Sequence, residues 1–177
     1  QMRQLHMRRR CLQLHRLCHR EFSKATELEG ISRGLWDGLN AQGVQELNEL
    51  QSRSVRQGLQ GDDVLTCAQT GGGKTLAFLI PILQRVLITH AHNPVKAFLG
   101  PQAVVPAPTI ELVVQHREVA LALVGPNGVD PAALAEQVLI ETPESCLERV
   151  RAGSTHLPRL HSVAIDEVDS HIARGHL

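Results

Sequence analysis

The stretch Ala68-Gln69-Thr70-Gly71-Gly72-Gly73-Lys74-Thr75 stands between a strand-like run, Asp63-Val64-Leu65-Thr66-Cys67, and a helix-like run whose apolar stripe is Leu76, Phe78, Leu79, Leu83, Val86 and Leu87. A glycine-rich loop in that place opens a helix. Consecutive glycines take unusual backbone angles at little steric cost, so successive N–H groups can converge on phosphate oxygens, helped by the positive end of the helix dipole. The pattern G-x-x-x-x-G-K-[ST] describes such loops, and Ala68 stands at its first position. It assigns Lys74 to the β and γ phosphates of a nucleotide and Thr75 to Mg²⁺. The blander reading is a glycine-rich turn with an exposed lysine; the strand before and the helix after favour phosphate.

A second acidic element follows downstream. Ser162-Val163-Ala164-Ile165 reads as a buried strand running into Asp166-Glu167-Val168-Asp169. Two adjacent acids at the carboxyl end of such a strand form a Walker-B arrangement. Asp166 is placed to bind Mg²⁺ and Glu167 to polarise a water attacking the γ-phosphate, so Lys74, Asp166 and Glu167 are the expected catalytic set.

The chain of 177 residues fits one domain of ordinary size. Acidic and basic residues balance at 18 each, but the balance is uneven along the chain. Residues 1–20 hold Arg3, Arg8, Arg9, Arg10, Arg16 and Arg20 and no acid, which leaves 12 basic against 18 acidic residues in the remainder. The organisation expected is a basic Arg/His-rich arm over 1–21 and an acidic lobe over 22–177. The arm reads equally as an organellar targeting segment or as a basic RNA-touching arm. Cys11, His15, Cys18 and His19 share a helical face in it, which permits a metal site, although their spacing is not that of established zinc sites. There is no Tyr, and only Phe22, Phe78, Phe98 and Trp36 are aromatic, so single-stranded nucleic acid would have to be gripped by its backbone rather than its bases. The four cysteines are scattered, which favours a reducing, intracellular compartment (organelle, nucleus or cytoplasm) over a disulfide framework. No apolar run is long enough to span a bilayer, and a soluble monomer with no membrane partner is expected.

From Ser32 the pattern alternates helix and strand. Ser32 can cap a helix that Gly43 ends, and a second helix starts near Gln51. Strand 63–67, the loop and a helix over 74–88 follow. Then come a loop with Asn93, Pro94, Gly100 and Pro101, the apolar run Ala103-Val104-Val105, a helix after Thr109, and a turn at Gly125-Pro126-Asn127-Gly128. Val138-Leu139-Ile140 and Val163-Ala164-Ile165 complete the expected strands. Such β-α alternation with continuous apolar strands predicts an α/β fold, a parallel sheet covered by helices on both faces, with ligands outside the strand carboxyl ends.

Over about residues 31–177 the chain resembles the first RecA-like lobe of a DEAD-box ATP-dependent RNA helicase. AQTGGGKT followed by TLAFLIPIL is similar to motif I, and DEVD stands for DEAD with Val168 in place of Ala. Gly43 to Gln51 matches the Q motif, with Leu47 and Asn48 replacing the usual Pro and Thr or Ser; the resemblance assigns Gln51 to the adenine edge. Pro108-Thr109-Ile110-Glu111-Leu112 is similar to the PTREL of motif Ia, with Ile110 in place of Arg. Thr142-Pro143-Glu144-Ser145 is similar to the TPGR of motif Ib, with Glu144 and Ser145 replacing Gly and Arg.

The resemblance implies a RecA-like P-loop NTPase domain using ATP and Mg²⁺ and an RNA backbone held by Pro108, Thr109, Glu111, Thr142 and Pro143. It also implies a second RecA-like lobe, outside this chain, that supplies arginines to the phosphoryl group. A carboxylate where phosphate approaches adds repulsion, and a lost Arg removes a bidentate contact, so the RNA side reads as weakened and the ATP side as intact. The alternative is a degenerate helicase acting as a nucleotide-binding regulatory or scaffold module in an RNA–protein assembly. A small-molecule P-loop kinase is disfavoured, because adjacent acids suit water activation.

Overall fold

A computed structural model describes residues 30–69, 71–92 and 100–175. The expected arm over 1–21, its Cys/His face, Thr70 and the segment 93–99 lie outside the described residues. Among the described ones, three helices precede a stretch in which three strands are interspersed with four further helices.

Helix α1 (Arg33–Ala41) buries Leu35 and Leu39 on one face. Ser32 occupies the expected N-cap position, but its hydroxyl makes no capping bond; its backbone N–H donates instead to Gln84 Oε1 at 2.7 Å. Gly43, at φ 77°, turns the chain away after the helix. Helix α2 (Glu49–Gln60) starts in a reciprocal capping box: Asn48 Oδ1 accepts from Gln51 N–H and Gln51 Oε1 accepts from Asn48 N–H, each at 2.9 Å. Gly61, left-handed at φ 83°, ends it. Helix α3 (Lys74–His92) carries Pro81 inside it and buries Leu79, Ile80, Leu83 and Val86. It lies close against α2, where a Cβ added to Gly58 would come within 2.9 Å of the Pro81 ring.

The sheet is parallel, with order β2-β1-β3, from β1 (Ala103–Pro106), β2 (Val138–Glu141) and β3 (Ser162–Val163). Val104 pairs with Leu139 on one side and Val163 on the other. Between β1 and β2 run α4 (Ile110–Val124), a 3₁₀ turn (Gly125–Asn127) and α5 (Pro131–Gln137). Helix α6 (Pro143–Arg151) connects β2 to β3, and α7 (Val168–Ala173) follows β3. The central core joins Leu35 and Leu39, the α3 stripe, Val105, Leu123 and Ile140. This is the predicted α/β arrangement of a parallel sheet with helices packed against it.

Two expectations fail. Residues 63–67 form no strand; Val64 and Leu65 are exposed, Leu65 at 56 %. An extended segment becomes a strand only where a neighbour satisfies its N–H and C=O groups, and the described strands offer this one no ladder. Likewise Val163-Ala164-Ile165 is not a buried strand. Only Ser162–Val163 is strand, Val163 is 58 % exposed, and β3 is an edge with one partner. Helix α5 was not expected at all, although Asp130, which caps Ala133 N–H at 3.1 Å, and Pro131 at the first helical position are its start signals.

Helix α1 meets α4 at Gly38, where an added Cβ would collide with the Leu123 carbonyl oxygen. Gly38→Ala is therefore expected to lower unfolding stability by about 1–3 kcal/mol, despite alanine's better helix propensity. A urea midpoint equal to or above wild type would show that the two helices tolerate separation.

Candidate nucleotide site

The glycine loop is held from two sides. Gly71 and Gly73 have φ of 81° and 78°, angles that L side chains rarely adopt. At Gly73 an added Cβ would also collide with the Gln51 amide nitrogen. Gln51, only 6 % exposed, donates from Nε2 to Gly73 O at 3.2 Å, and Asn48 Nδ2 donates to Gly72 O at 3.3 Å. The capping pair of α2 thus also fixes the loop. Asn48, which departs from the Q-motif pattern, keeps the cap and adds a loop contact. The Gln51 amide still has one N–H and one oxygen lone pair uncommitted by these bonds, the pair that an adenine edge requires.

Lys74 is the first residue of α3, and its ammonium lies back over the loop, donating to Ala68 O at 2.9 Å and Gln69 O at 3.2 Å. Thr75 follows in the same turn, half-buried. A cation caged by loop carbonyls beside two left-handed glycines is a ready receptor for phosphate oxygens, so Ala68, Gln69, Gly71, Gly72, Gly73, Lys74 and Thr75 fit a nucleotide.

Asp166 follows β3, in the loop leading to α7. Its Oδ1 accepts from Glu167 N–H at 3.0 Å, and its Oδ2 lies 3.2 Å from His116 Nε2. Its carboxyl is held below the ordinary carboxylate range, chiefly by the His116 hydrogen bond, against burial, and further by the Glu167 amide and the Lys74 charge. That Lys74 acts on Asp166 places the loop and the acidic pair in one electrostatic neighbourhood. Glu167 is the single described non-glycine residue with positive φ, at 50°; such a conformation costs on the order of 1–3 kcal/mol and persists where surroundings enforce it. Its Oε2 accepts from Ser170 Oγ at 3.2 Å. No group of three or more His, Cys, Asp or Glu among the described residues is arranged as a metal cage. A cation here would be held by Asp166, Thr75 and phosphate oxygens, the sparse protein ligation that Mg²⁺ accepts.

The residues assigned to RNA lie at two helix starts. Thr109 caps α4 by accepting from Leu112 N–H at 3.3 Å, and Thr142 caps α6 by accepting from Ser145 N–H at 3.4 Å. Pro108 is buried and in this conformation shapes the turn rather than meeting a ligand; Pro143 is half-buried. Ile110, in place of Arg, is 70 % exposed. Glu111 is exposed and its carboxyl lies below the usual range, first through its own backbone N–H, then through Thr109, with the Arg174 charge helping.

Sequence reasoning missed Glu141, a buried carboxylate at the end of β2. It accepts from Ser145 Oγ at 2.7 Å and Arg149 Nη1 at 2.9 Å and lies 3.5 Å from Arg117 Nη2. It thereby occupies two half-exposed arginines beside Thr142. The TPES neighbourhood hinted at acid there, but the link to Arg117, which also donates to Ile140 O, is spatial only.

The DEAD/DEAH box helicase pattern matches residues 48–176. The chain is 29 % identical to the DEAD-box ATP-dependent RNA helicase CshA of Geobacillus kaustophilus over 82 % of its length, covering 33 % of that protein. It is 31 % identical to the ATP-dependent RNA helicase DeaD of Escherichia coli, again over 82 % of its length and 24 % of that protein. The chain thus spans a third or less of the curated relatives it matches. Among solved structures, the RNA helicase Prp28 from Chaetomium thermophilum bound to ADP superposes with a TM-score of 0.70 at 29 % identity, covering 89 % of this chain and 40 % of that one.

Burial, with the Glu141 carboxylate adding to it, pushes the Cys146 thiol up to about 11, while Arg149 and Arg117 pull the other way. At pH 8 it is therefore a thiol, and iodoacetamide should label the exposed Cys67 while leaving Cys146 nearly untouched, with Cys146 labelling rising as pH approaches 11. Comparable labelling of both at pH 8, mapped by mass spectrometry, would contradict this packing.

Proposed function

The chain belongs to the DEAD/DEAH box helicase family, and from that premise we propose that it is the ATP-binding lobe of an ATP-dependent RNA helicase. The observation that carries the proposal is the convergence of Gln51, the Gly71–Lys74 turn and Asp166 through direct contacts and charge. Gln51 reads adenine, and the loop N–H groups with Lys74 take the β and γ phosphates. Thr75 and Asp166 hold Mg²⁺, which when bound neutralises charge on the phosphate oxygens. Glu167 orients the attacking water, aimed by its left-handed backbone.

RNA is the proposed macromolecular partner, held through its backbone at the α4 and α6 starts. Its hold on this lobe is weak, because Ile110 and Glu144 remove favourable charge and Glu141 occupies Arg117 and Arg149. A second RecA-like lobe supplies the phosphoryl-stabilising arginines. Such arginines are worth about 10³–10⁵ in rate, so residues 1–177 alone should hydrolyse ATP slowly and not unwind duplexes.

Titrating a fluorescent non-hydrolysable ATP analogue into wild-type chain with Mg²⁺ should give saturable binding that Lys74→Ala abolishes. Glu167→Gln should keep the binding and lose the residual hydrolysis. Single-stranded RNA in the same titration should bind more weakly than the nucleotide. Tight RNA binding without detectable nucleotide binding would overturn the assignment, and robust RNA-stimulated hydrolysis by this chain alone would overturn the need for a second lobe.

A further inference from the structure

His116 lies on the buried face of α4 and is 1 % exposed. Phe78 packs against it edge-on, with centroids 5.5 Å apart and planes at 84°. An aliphatic side chain would fill this position without desolvating a polar ring. The imidazole does carry that cost, since Nδ1 is buried with no hydrogen-bond partner. The compensating contact is at the other nitrogen, Nε2, 3.2 Å from Asp166 Oδ2. The two nitrogens therefore differ sharply. A proton on Nδ1 would be buried without an acceptor, whereas a proton on Nε2 has one.

We propose that His116 is a positioning residue for the divalent cation: its Nε2–H holds the Asp166 carboxylate in a fixed orientation for Mg²⁺. The proposal rests on the reading of Asp166 as a Mg²⁺ ligand. Each carboxylate oxygen has two lone pairs. Oδ2 gives one to His116 and Oδ1 gives one to the Glu167 amide, which pins the carboxylate plane at both oxygens and leaves one lone pair on each for the cation. A carboxylate so restrained loses less rotational freedom on binding metal than one that swings freely. Groups that hydrogen-bond to a metal ligand in this way contribute about 10–100-fold to metal affinity. His116 also ties α4, whose N-cap is Thr109, to the acidic pair, so the orientation of Asp166 is coupled to the element assigned to RNA.

The test is a Mg²⁺ titration of the full chain with a fluorescent ADP analogue, carried out beside a titration in EDTA. His116→Leu, checked for folding by circular dichroism, should raise the Mg²⁺ concentration at half-maximal effect by about 10–100-fold. Affinity in EDTA should stay at the wild-type value, which a merely structural defect would not allow. His116→Gln, whose amide N–H can reach the same oxygen, should restore most of the Mg²⁺ response. ¹⁵N NMR of the wild-type imidazole gives a readout that needs no variant, and should show the Nε2–H tautomer. A wild-type Mg²⁺ response in His116→Leu, equal losses in the Leu and Gln variants, or an Nδ1–H tautomer would each overturn the proposal while leaving the nucleotide site standing. Wild-type nucleotide binding that ignores Mg²⁺ would overturn both.

Discussion

The hydrogen bond from Gln51 Nε2 to Gly73 O is the contact on which the site depends. Residues 62–69 join no sheet ladder, so the loop that follows them is not anchored by a strand. It is anchored from the side. Gln51 closes the α2 capping box with its oxygen and grips the loop with its nitrogen, while Asn48 reaches Gly72. A further tie, between Ser54 Oγ and Thr66 Oγ1 at 2.9 Å, fastens α2 to the extended segment. A buried amide with both ends engaged is costly to disturb, so the glycine angles at 71 and 73 are set by helix α2 as well as by α3.

Electrostatics organise the rest. Lys74 is satisfied by its own loop carbonyls, Asp166 by His116 and the Glu167 amide, and Glu167 by Ser170. Each charged group thus has a local partner, so no buried charge stands unpaired. The other face is arranged differently. Glu141 pairs with Arg117 and Arg149, and an exposed isoleucine stands at the start of α4. One lobe therefore presents the Lys74 ammonium over a glycine loop on one side and arginines already paired with a carboxylate on the other.

Much of this was legible in the sequence because it depends on short-range chemistry. The glycine run, Lys74 and Thr75, the helix after Thr109 and the acids at 166 and 167 are local signals, and the first four helices were expected, whereas α5, α6 and α7 were not. What the sequence did not show depends on neighbours distant along the chain. Apolar residues at 63–67 and 163–165 looked like buried strands, because periodicity records hydrophobicity and not whether a ladder partner is present. Exposure of Leu65 and Val163 is the result. His116 carries no signal of its own in the sequence. Only the fold brings it to Asp166, fifty residues later, and only the unpartnered Nδ1 marks it as more than filler. Glu141 was hidden for the same reason, its partners being drawn from α4 and α6.

The central claim is that the Gly71–Lys74 turn, Gln51 and Asp166 are one Mg-nucleotide site. A crystal structure of the chain with a non-hydrolysable ATP analogue and Mg²⁺ tests it most directly. The account predicts that the Lys74 ammonium leaves the Ala68 and Gln69 carbonyls for the β and γ phosphates, that the adenine edge meets Gln51, and that Mg²⁺ lies between Thr75 and Asp166. A nucleotide bound elsewhere, or bound with Lys74 still on its loop carbonyls, would contradict it.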